Sequence, residues 1–261
     1  MRLAVIGFGN MGSASARAYL SYKKAEDELI VYDRNEIKLK TARERFSALT
    51  AENEAEAAKG ADYVLFAVEP KDLPDAIRAA RIINEQVVIS VAAGVTIARI
   101  EEALEVEAPV VRVMPNVSLI AGEGMSALCG SANTTELQLE TVKRIFASGG
   151  RCTIIKEEKM DAVGALSGSS PAYAFMFIES LAQGGILCGM SADDSYEFAA
   201  QTVLGAAKML LSGAGNPAEL RDSVTSPGGT TIEGVRILEE NGFRAAVINA
   251  VKAAFDKTKR L

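Results

Sequence analysis

The sequence contains no histidine and no tryptophan. The first absence removes the Ser-His-Asp and Cys-His nucleophile systems, the histidine-ligated zinc and the imidazole acid or base from the chemistry open to one kind of subunit. Cysteine is scarce too. Cys129, Cys152 and Cys188 lie far apart and are odd in number, so neither a disulfide framework nor a metal-ligand cluster is expected. They read as small buried apolar residues in a reducing compartment. Long hydrophobic runs are missing: the longest, 172–178, is too short to cross a bilayer and is closed by Glu179. The first residues form a strand-like run, not an export signal, so a cytoplasmic location and no membrane partner are expected. Basic excess is also absent. Lys+Arg at 28 against Asp+Glu at 34 gives a net charge of −6, which attracts no phosphate backbone, and nucleic acid is not an expected partner.

What is present is globular: 261 residues, 49% hydrophobic and 24% charged, enough for a core in each of two domains. Residues 1–156 alternate short β-branched runs with helical patterns. Strands are predicted at 3–6, 29–32, 63–67, 87–91, 110–114, 125–128 and 152–155, and helices at about 11–20, 36–46, 55–59, 73–80, 97–104 and 136–148. Repeated strand–helix–strand units predict an α/β fold with a doubly wound, mostly parallel sheet. From 157 to 261 no strand pattern follows, and an all-α second domain is expected. Its helix starts are Ser170 with Pro171, Ser191 before Asp194, and Asn216-Pro217 before Glu219. The helix at 171–188 is apolar around most of its circumference, and 198–211 is equally apolar. About 100 residues cannot cover both, which predicts an intertwined homodimer through the C-terminal helices.

Three sets of residues carry chemistry. Gly7-Phe8-Gly9-Asn10-Met11-Gly12 follows the first strand and opens the first helix in G-x-G-x-x-G spacing. One glycine allows the turn, the next lets backbone approach a pyrophosphate, and the third lets helix pack on strand, which predicts a dinucleotide site. Asp33, near the end of the next strand, suits a ribose hydroxyl and NAD(H), whereas Arg34 beside it suits a 2′-phosphate and NADP(H); the cofactor choice stays open between the two. Two further strand ends should face the cofactor, Ala67-Val68-Glu69-Pro70 and Ala92-Ala93-Gly94. Asn116 either offers its amide to a ligand or holds its turn. In the helical region two turns rich in hydroxyls and glycine feed helix starts: 166–173, with Ser170 and Pro171, and 224–233, with Ser226, Gly228, Gly229, Thr230 and Thr231. Both could meet a carboxylate. Thr230 and Glu233 have capping-box spacing, which assigns Thr230 to the helix and leaves Thr231 for a ligand.

Taken in order, Gly7 to Gly12, Ala92-Ala93-Gly94-Val95-Thr96-Ile97, Met114-Pro115-Asn116, Leu166 to Tyr173 and above all Asp222 to Ile232 resemble the motifs of the pyrroline-5-carboxylate reductases along the whole chain. The resemblance implies an N-terminal Rossmann-type domain and a C-terminal dimerisation domain, NAD(P)H-dependent reduction of 1-pyrroline-5-carboxylate to L-proline, and a dimer that can assemble into a pentamer of dimers. It implies a cofactor held on one subunit and a substrate loop contributed by its partner. It places Ser226, Gly228, Gly229 and Thr230 around the substrate carboxylate, Thr231 on the ring nitrogen as the catalytic group, Glu157 beside the substrate, and Pro171 on the nicotinamide side. Two departures from that family's pattern stand out: Glu69 where a lysine is usual, and Val117-Ser118 where Thr-Pro is usual. Two alternatives are a hydroxyacid dehydrogenase of the 6-phosphogluconate dehydrogenase type, which wants a lysine that 171–188 lacks, and a non-catalytic dinucleotide-binding regulator.

Overall fold

A computed structural model describes residues 1–259. Contacts divide the chain into two compact units, residues 1–169 with 254–259, and residues 170–253. The first unit runs β1 (Arg2–Ile6), α1 (Asn10–Tyr22), β2 (Glu28–Tyr32), α2 (Glu36–Phe46), β3 (Leu49–Thr50), α3 (Glu54–Ala58), β4 (Tyr63–Phe66), α4 (Leu73–Ala80), β5 (Val87–Ser90), α5 (Ile97–Ala103), β6 (Val110–Met114), β7 (Gly124–Gly130), α6 (Glu136–Ala147) and β8 (Gly150–Ile154). One sheet holds all eight strands in the order β3-β2-β1-β4-β5-β6-β7-β8. Leu3, Val5, Leu65 and Ile89 point into one core and Ala4, Val64, Phe66 and Val88 into the other, so helices must cover both faces. Continuous apolar strands are the sequence consequence.

Register then builds a rim. Ile6 is level with Tyr32 on one side and Phe66 on the other, and Phe66 is level with Ser90. The residues just past these ends, Gly7, Asp33, Ala67 and Val91, therefore emerge along one edge, with the order reversing between β1 and β4 as in dinucleotide-binding sheets.

Some expectations need correction. The two-residue strand β3 was too short to show a pattern, and it pairs parallel to β2. The strand β7 is antiparallel to β6 and extends to Gly130, beyond the apolar run that suggested it. After β8 the chain makes a 3-10 turn, Glu157–Lys159, the short helix α7 (Met160–Val163) and a π turn, Gly164–Gly168, all still within the first unit. Met160 is in fact buried in the second core. The change of sequence pattern at 157 thus precedes the boundary between compact units at 169/170.

The second unit contains α8 (Ser170–Leu187), α9 (Ala192–Leu211), α10 (Pro217–Ser223), α11 (Thr230–Glu240) and the first part of α12 (Phe243–Thr258). Ser191 caps α9 through the Asp194 N–H, and Asn216 caps α10 in a reciprocal pair with Glu219. Ser170 is not a cap: backbone before it is already helical, so α8 is entered by continuation. Nor does Thr230 form a capping box. Gly229 occupies the cap position, Thr230 is the first helical residue, and Glu233 pairs with Arg236 at 3.1 Å. Only three residues of this unit, Ala182, Ser195 and Ala199, are buried within the chain. Among the described residues no helix is long and apolar enough to cross a membrane.

Candidate functional site

The glycine loop shows why each glycine stands where it does. Gly7 has φ +90°, and a Cβ there would lie 2.6 Å from the Ala67 carbonyl oxygen. A Cβ on Gly12 would collide with the Gly7 carbonyl. At Gly9 a Cβ would meet only the Lys38 Nζ, at 4.0 Å, so the middle glycine faces open space. Gly9 also caps α1 without a side-chain partner, which leaves first-turn N–H groups for an anion. Phe8 is different: its ring is buried edge-on against Phe46, 5.1 Å between centroids, and its N–H is donated to Asp33 Oδ2 at 2.7 Å. Asn10 is exposed, and Met11 leans on the core.

A cleft of about 330 Å³ collects Gly7, Gly9, Asp33, Arg34, Ala67, Val68 and Glu69, together with Tyr32 and Lys38. A neighbouring groove of about 590 Å³ shares Glu69 and adds Pro70, Ala93 and Gly94. Ala92 is buried behind them. Asp33 is heavily engaged: besides the Phe8 N–H it accepts from the Asn35 N–H at 2.9 Å and from Lys38 Nζ at 3.1 Å. Lys38 was missed in the sequence, although a cation one turn into the helix after Asp33-Arg34-Asn35 was the available signal. Glu69 is 70% exposed and paired with Lys71 at 2.8 Å, and that ammonium holds its carboxyl below the usual range. The carboxylate that departs from the family's lysine is therefore partly neutralised by a cation two residues on.

Glu157 has a definite local role. Its Oε1 accepts from the Ile97 N–H, the first of α5, at 2.7 Å and from Arg112 Nη1 at 3.2 Å. Asn116 holds its turn, the second of the two readings open for it: its Oδ1 accepts from the Met125 N–H at 3.1 Å and its Nδ2 donates to the Ser167 carbonyl at 3.2 Å.

In the second unit, Ser226, Gly228, Thr230 and Thr231 are exposed around the start of α11. Gly228 has φ +67° with open space about it, and a Cβ on Gly229 would strike the Ser226 hydroxyl. Among the described residues the hydroxyls of Ser226, Thr230 and Thr231 make no hydrogen bond, so hydroxyls and uncapped N–H groups stand together in a form suited to a carboxylate. Pro171 lies half-buried in the first turn of α8. An apolar groove of about 690 Å³ runs between α8, α11 and α12, lined by Tyr173, Met176, Phe177, Leu181, Leu238 and Phe243.

The cysteines divide. Burial pushes the Cys129 thiol up to about 11 and the Cys152 thiol up to about 12, which leaves both protonated and inert at neutral pH. Cys188, expected to be buried, is exposed in the chain. No cluster of His, Cys, Asp and Glu suited to a metal occurs among the described residues.

Comparison with known proteins gives two family models: pyrroline-5-carboxylate reductase dimerisation over residues 157–261, and NADP oxidoreductase coenzyme F420-dependent over residues 2–94. The chain is 38% identical to the pyrroline-5-carboxylate reductase of Aquifex aeolicus over 261 residues, covering 100% of this chain and 97% of that protein. It is also 38% identical to the Escherichia coli enzyme over 263 residues, covering 100% and 98%. Among solved structures, the pyrroline carboxylate reductase of Plasmodium falciparum with NADP bound superposes with a TM-score of 0.89 at 31% identity, covering 100% of this chain and 97% of that one. The Streptococcus pyogenes enzyme gives 0.90 at 31%, covering 100% and 99%.

Proposed function

Because the chain belongs to the pyrroline-5-carboxylate reductase family, we infer that it is an oxidoreductase that reduces 1-pyrroline-5-carboxylate to L-proline, the last step of proline biosynthesis. The observation that carries this reading is a pair of glycine-bearing helix starts left open to anions, one at Gly9 and one at Gly229. The identity of the relatives favours the reductase over the hydroxyacid-dehydrogenase and non-catalytic alternatives.

The residues fit a dinucleotide. The space at Gly9 and the uncapped start of α1 suit a pyrophosphate, and Arg34 with Lys38 gives two cations for a 2′-phosphate, which selects NADP(H). Asp33 braces the loop through Phe8. Gly7, Asn10, Met11 and Gly12 shape the same loop, while Ala67, Val68, Glu69, Pro70, Ala92, Ala93, Gly94 and Pro171 serve the nicotinamide arm. When bound, the nicotinamide supplies the hydride.

The chain's own task is to hold and orient an anionic ring. Ser226, Gly228, Gly229 and Thr230 receive the carboxylate with hydroxyls and backbone N–H groups, and Thr231 donates to the ring nitrogen. The imine can enter already protonated as an iminium, so orientation and exclusion of water replace the missing histidine. Glu157 belongs to the substrate side through its hold on the start of α5. The helical unit, with its three buried residues and its match to a dimerisation model, closes on a second copy of the chain. A homodimer, its further assembly as a pentamer of dimers, and a cytoplasmic location complete the proposal.

Thr231→Ala should lower kcat by about 10- to 100-fold in an assay of NADPH oxidation with 1-pyrroline-5-carboxylate, the range of one lost transition-state hydrogen bond or a small misplacement. Full activity in that variant would remove Thr231 from the mechanism.

A further inference from the structure

A single charged side chain interrupts the apolar strand β6, Val-Val-Arg-Val-Met. Arg112 is only 4% exposed, and both of its partners lie beyond β8: Glu157 Oε1 at 3.2 Å and Asp161 Oδ1 at 3.0 Å. A charge in such surroundings is costly unless it is paired, so this arginine is explained by what it grips. Side chains on a strand alternate between faces, which places Arg112 and Met114 on the same face, and Asn116 continues the series past the strand end. All three touch one segment. The Met114 methyl sits so close to Gly164 and Gly168 that a Cβ on either would come within 2.9 Å and 3.1 Å of it. Asn116 Nδ2 reaches the Ser167 carbonyl at 3.2 Å and the Ser167 hydroxyl at 3.3 Å.

The last contact answers a defect in the helix. In an α-helix the Ser167 carbonyl would accept from the N–H four residues on, but that residue is Pro171, which has none. The backbone there is already a π turn, closed by the Ser169 N–H on the Gly164 carbonyl at 3.1 Å. Asn116 thus supplies the donor that the proline withholds. At the other end of the segment, the Glu157 oxygen gripped by Arg112 also accepts from the Ile97 N–H at 2.7 Å. Ile97 directly follows the turn that carries Ala92, Ala93 and Gly94. One strand end therefore fixes both that turn and the π-turned segment.

We propose that Arg112 and Asn116 are positioning residues of the reductase, a two-point clamp from β6 that fixes segment 157–169 and, through Glu157, the Ala92-to-Thr96 turn on the nicotinamide side of the site. The inference rests on the reductase reading for its catalytic consequence, whereas its structural content stands on the contacts alone. It separates two halves of cofactor binding. The adenosine half is held by the glycine loop and α2, which the clamp does not touch; the nicotinamide half depends on the clamped turn.

The test compares the full-length protein with Asn116→Ala, Asn116→Asp, Arg112→Met and Arg112→Lys. Amide hydrogen exchange should quicken in 164–169 for both Asn116 variants, and in 92–97 and 157–161 for Arg112→Met, with Arg112→Lys restoring part of the protection. Affinity for 2′,5′-ADP should stay within about twofold, while the fluorescence gained by NADPH on binding falls and kcat drops by about 10- to 100-fold, the cost of misplacing a reacting group by about 1 Å. Wild-type exchange at 164–169 in both Asn116 variants would overturn the clamp. So would quicker exchange with unchanged kcat and NADPH fluorescence, or a kcat loss matched by an equal loss of 2′,5′-ADP binding sites, which is the mark of mere unfolding. A wild-type protein that does not reduce 1-pyrroline-5-carboxylate would sink the reductase reading, and the exchange and NADPH fluorescence of the variants would still decide the clamp.

Discussion

Asp33 shows how one side chain can carry more than its motif assigns to it. An acidic residue at the end of β2 normally points to a ribose hydroxyl. Here its Oδ2 accepts from the Phe8 N–H and from Lys38, and its Oδ1 from the Asn35 N–H, so the carboxylate braces the glycine loop. Lys38 holds Asp33 and also lines the cleft beside Arg34, which has no ion-pair partner among the described residues, and two cations there favour a doubly charged phosphate. Lys38→Ala should weaken 2′,5′-ADP by about 10-fold, the worth of one charge-assisted hydrogen bond, while leaving 5′-AMP within about twofold. Isothermal titration with the two nucleotides reads this directly. Equal loss for both would show that Lys38 only props Asp33.

At the scale of elements, the start of α11 is set by backbone geometry more than by capping. Gly228 turns at φ +67°, Gly229 takes the cap position, and no side chain caps the first turn. A residue with a Cβ at such a φ costs about 1–2 kcal/mol, so Gly228→Ala should raise KM for 1-pyrroline-5-carboxylate by about 10-fold and leave NADPH affinity unchanged. An unaltered KM would show that the loop conformation is not what binds the ring. The same element shows where sequence reasoning reaches its limit. Thr230 and Glu233 have the spacing of a capping box, but spacing does not say which residue is first to turn helical, and the helix begins one residue earlier than the box requires. Likewise Ser170-Pro171 has the form of a helix start, yet a π turn carries the preceding helix into it. Buried strands such as Val64-Leu65-Phe66 were legible because a sheet covered on both faces demands continuous apolar runs. The direction of β7 was not, since a run of apolar residues carries no sign of its orientation. Local pattern also found the glycine loop and Asp33, while Arg112 and its clamp required knowing which distant segment comes to rest on β6.

Across the whole molecule, the two units differ in how much they bury. The sheet unit buries two cores, whereas residues 170–253 bury three side chains and expose Leu187 at 89%, Met176 at 66% and Phe198 at 65%. Exposed apolar surface on that scale is a docking surface. Phe198→Asp should therefore shift the protein in sedimentation equilibrium at micromolar concentration from a dimer, or a multiple of it, towards monomer, with loss of activity in parallel. An unchanged mass distribution would exclude α9 from the interface. The proposed reaction is one hydride transfer to a cyclic imine, with the glycine loop assigned to the nicotinamide cofactor and the hydroxyl-bearing start of α11 to the ring. It is tested most directly with NADPH deuterated at the transferring position of the nicotinamide ring, 1-pyrroline-5-carboxylate as acceptor, and mass spectrometry of the product. Proline carrying one deuterium on the former imine carbon is expected; unlabelled proline, or oxidised cofactor without proline, would contradict this reaction.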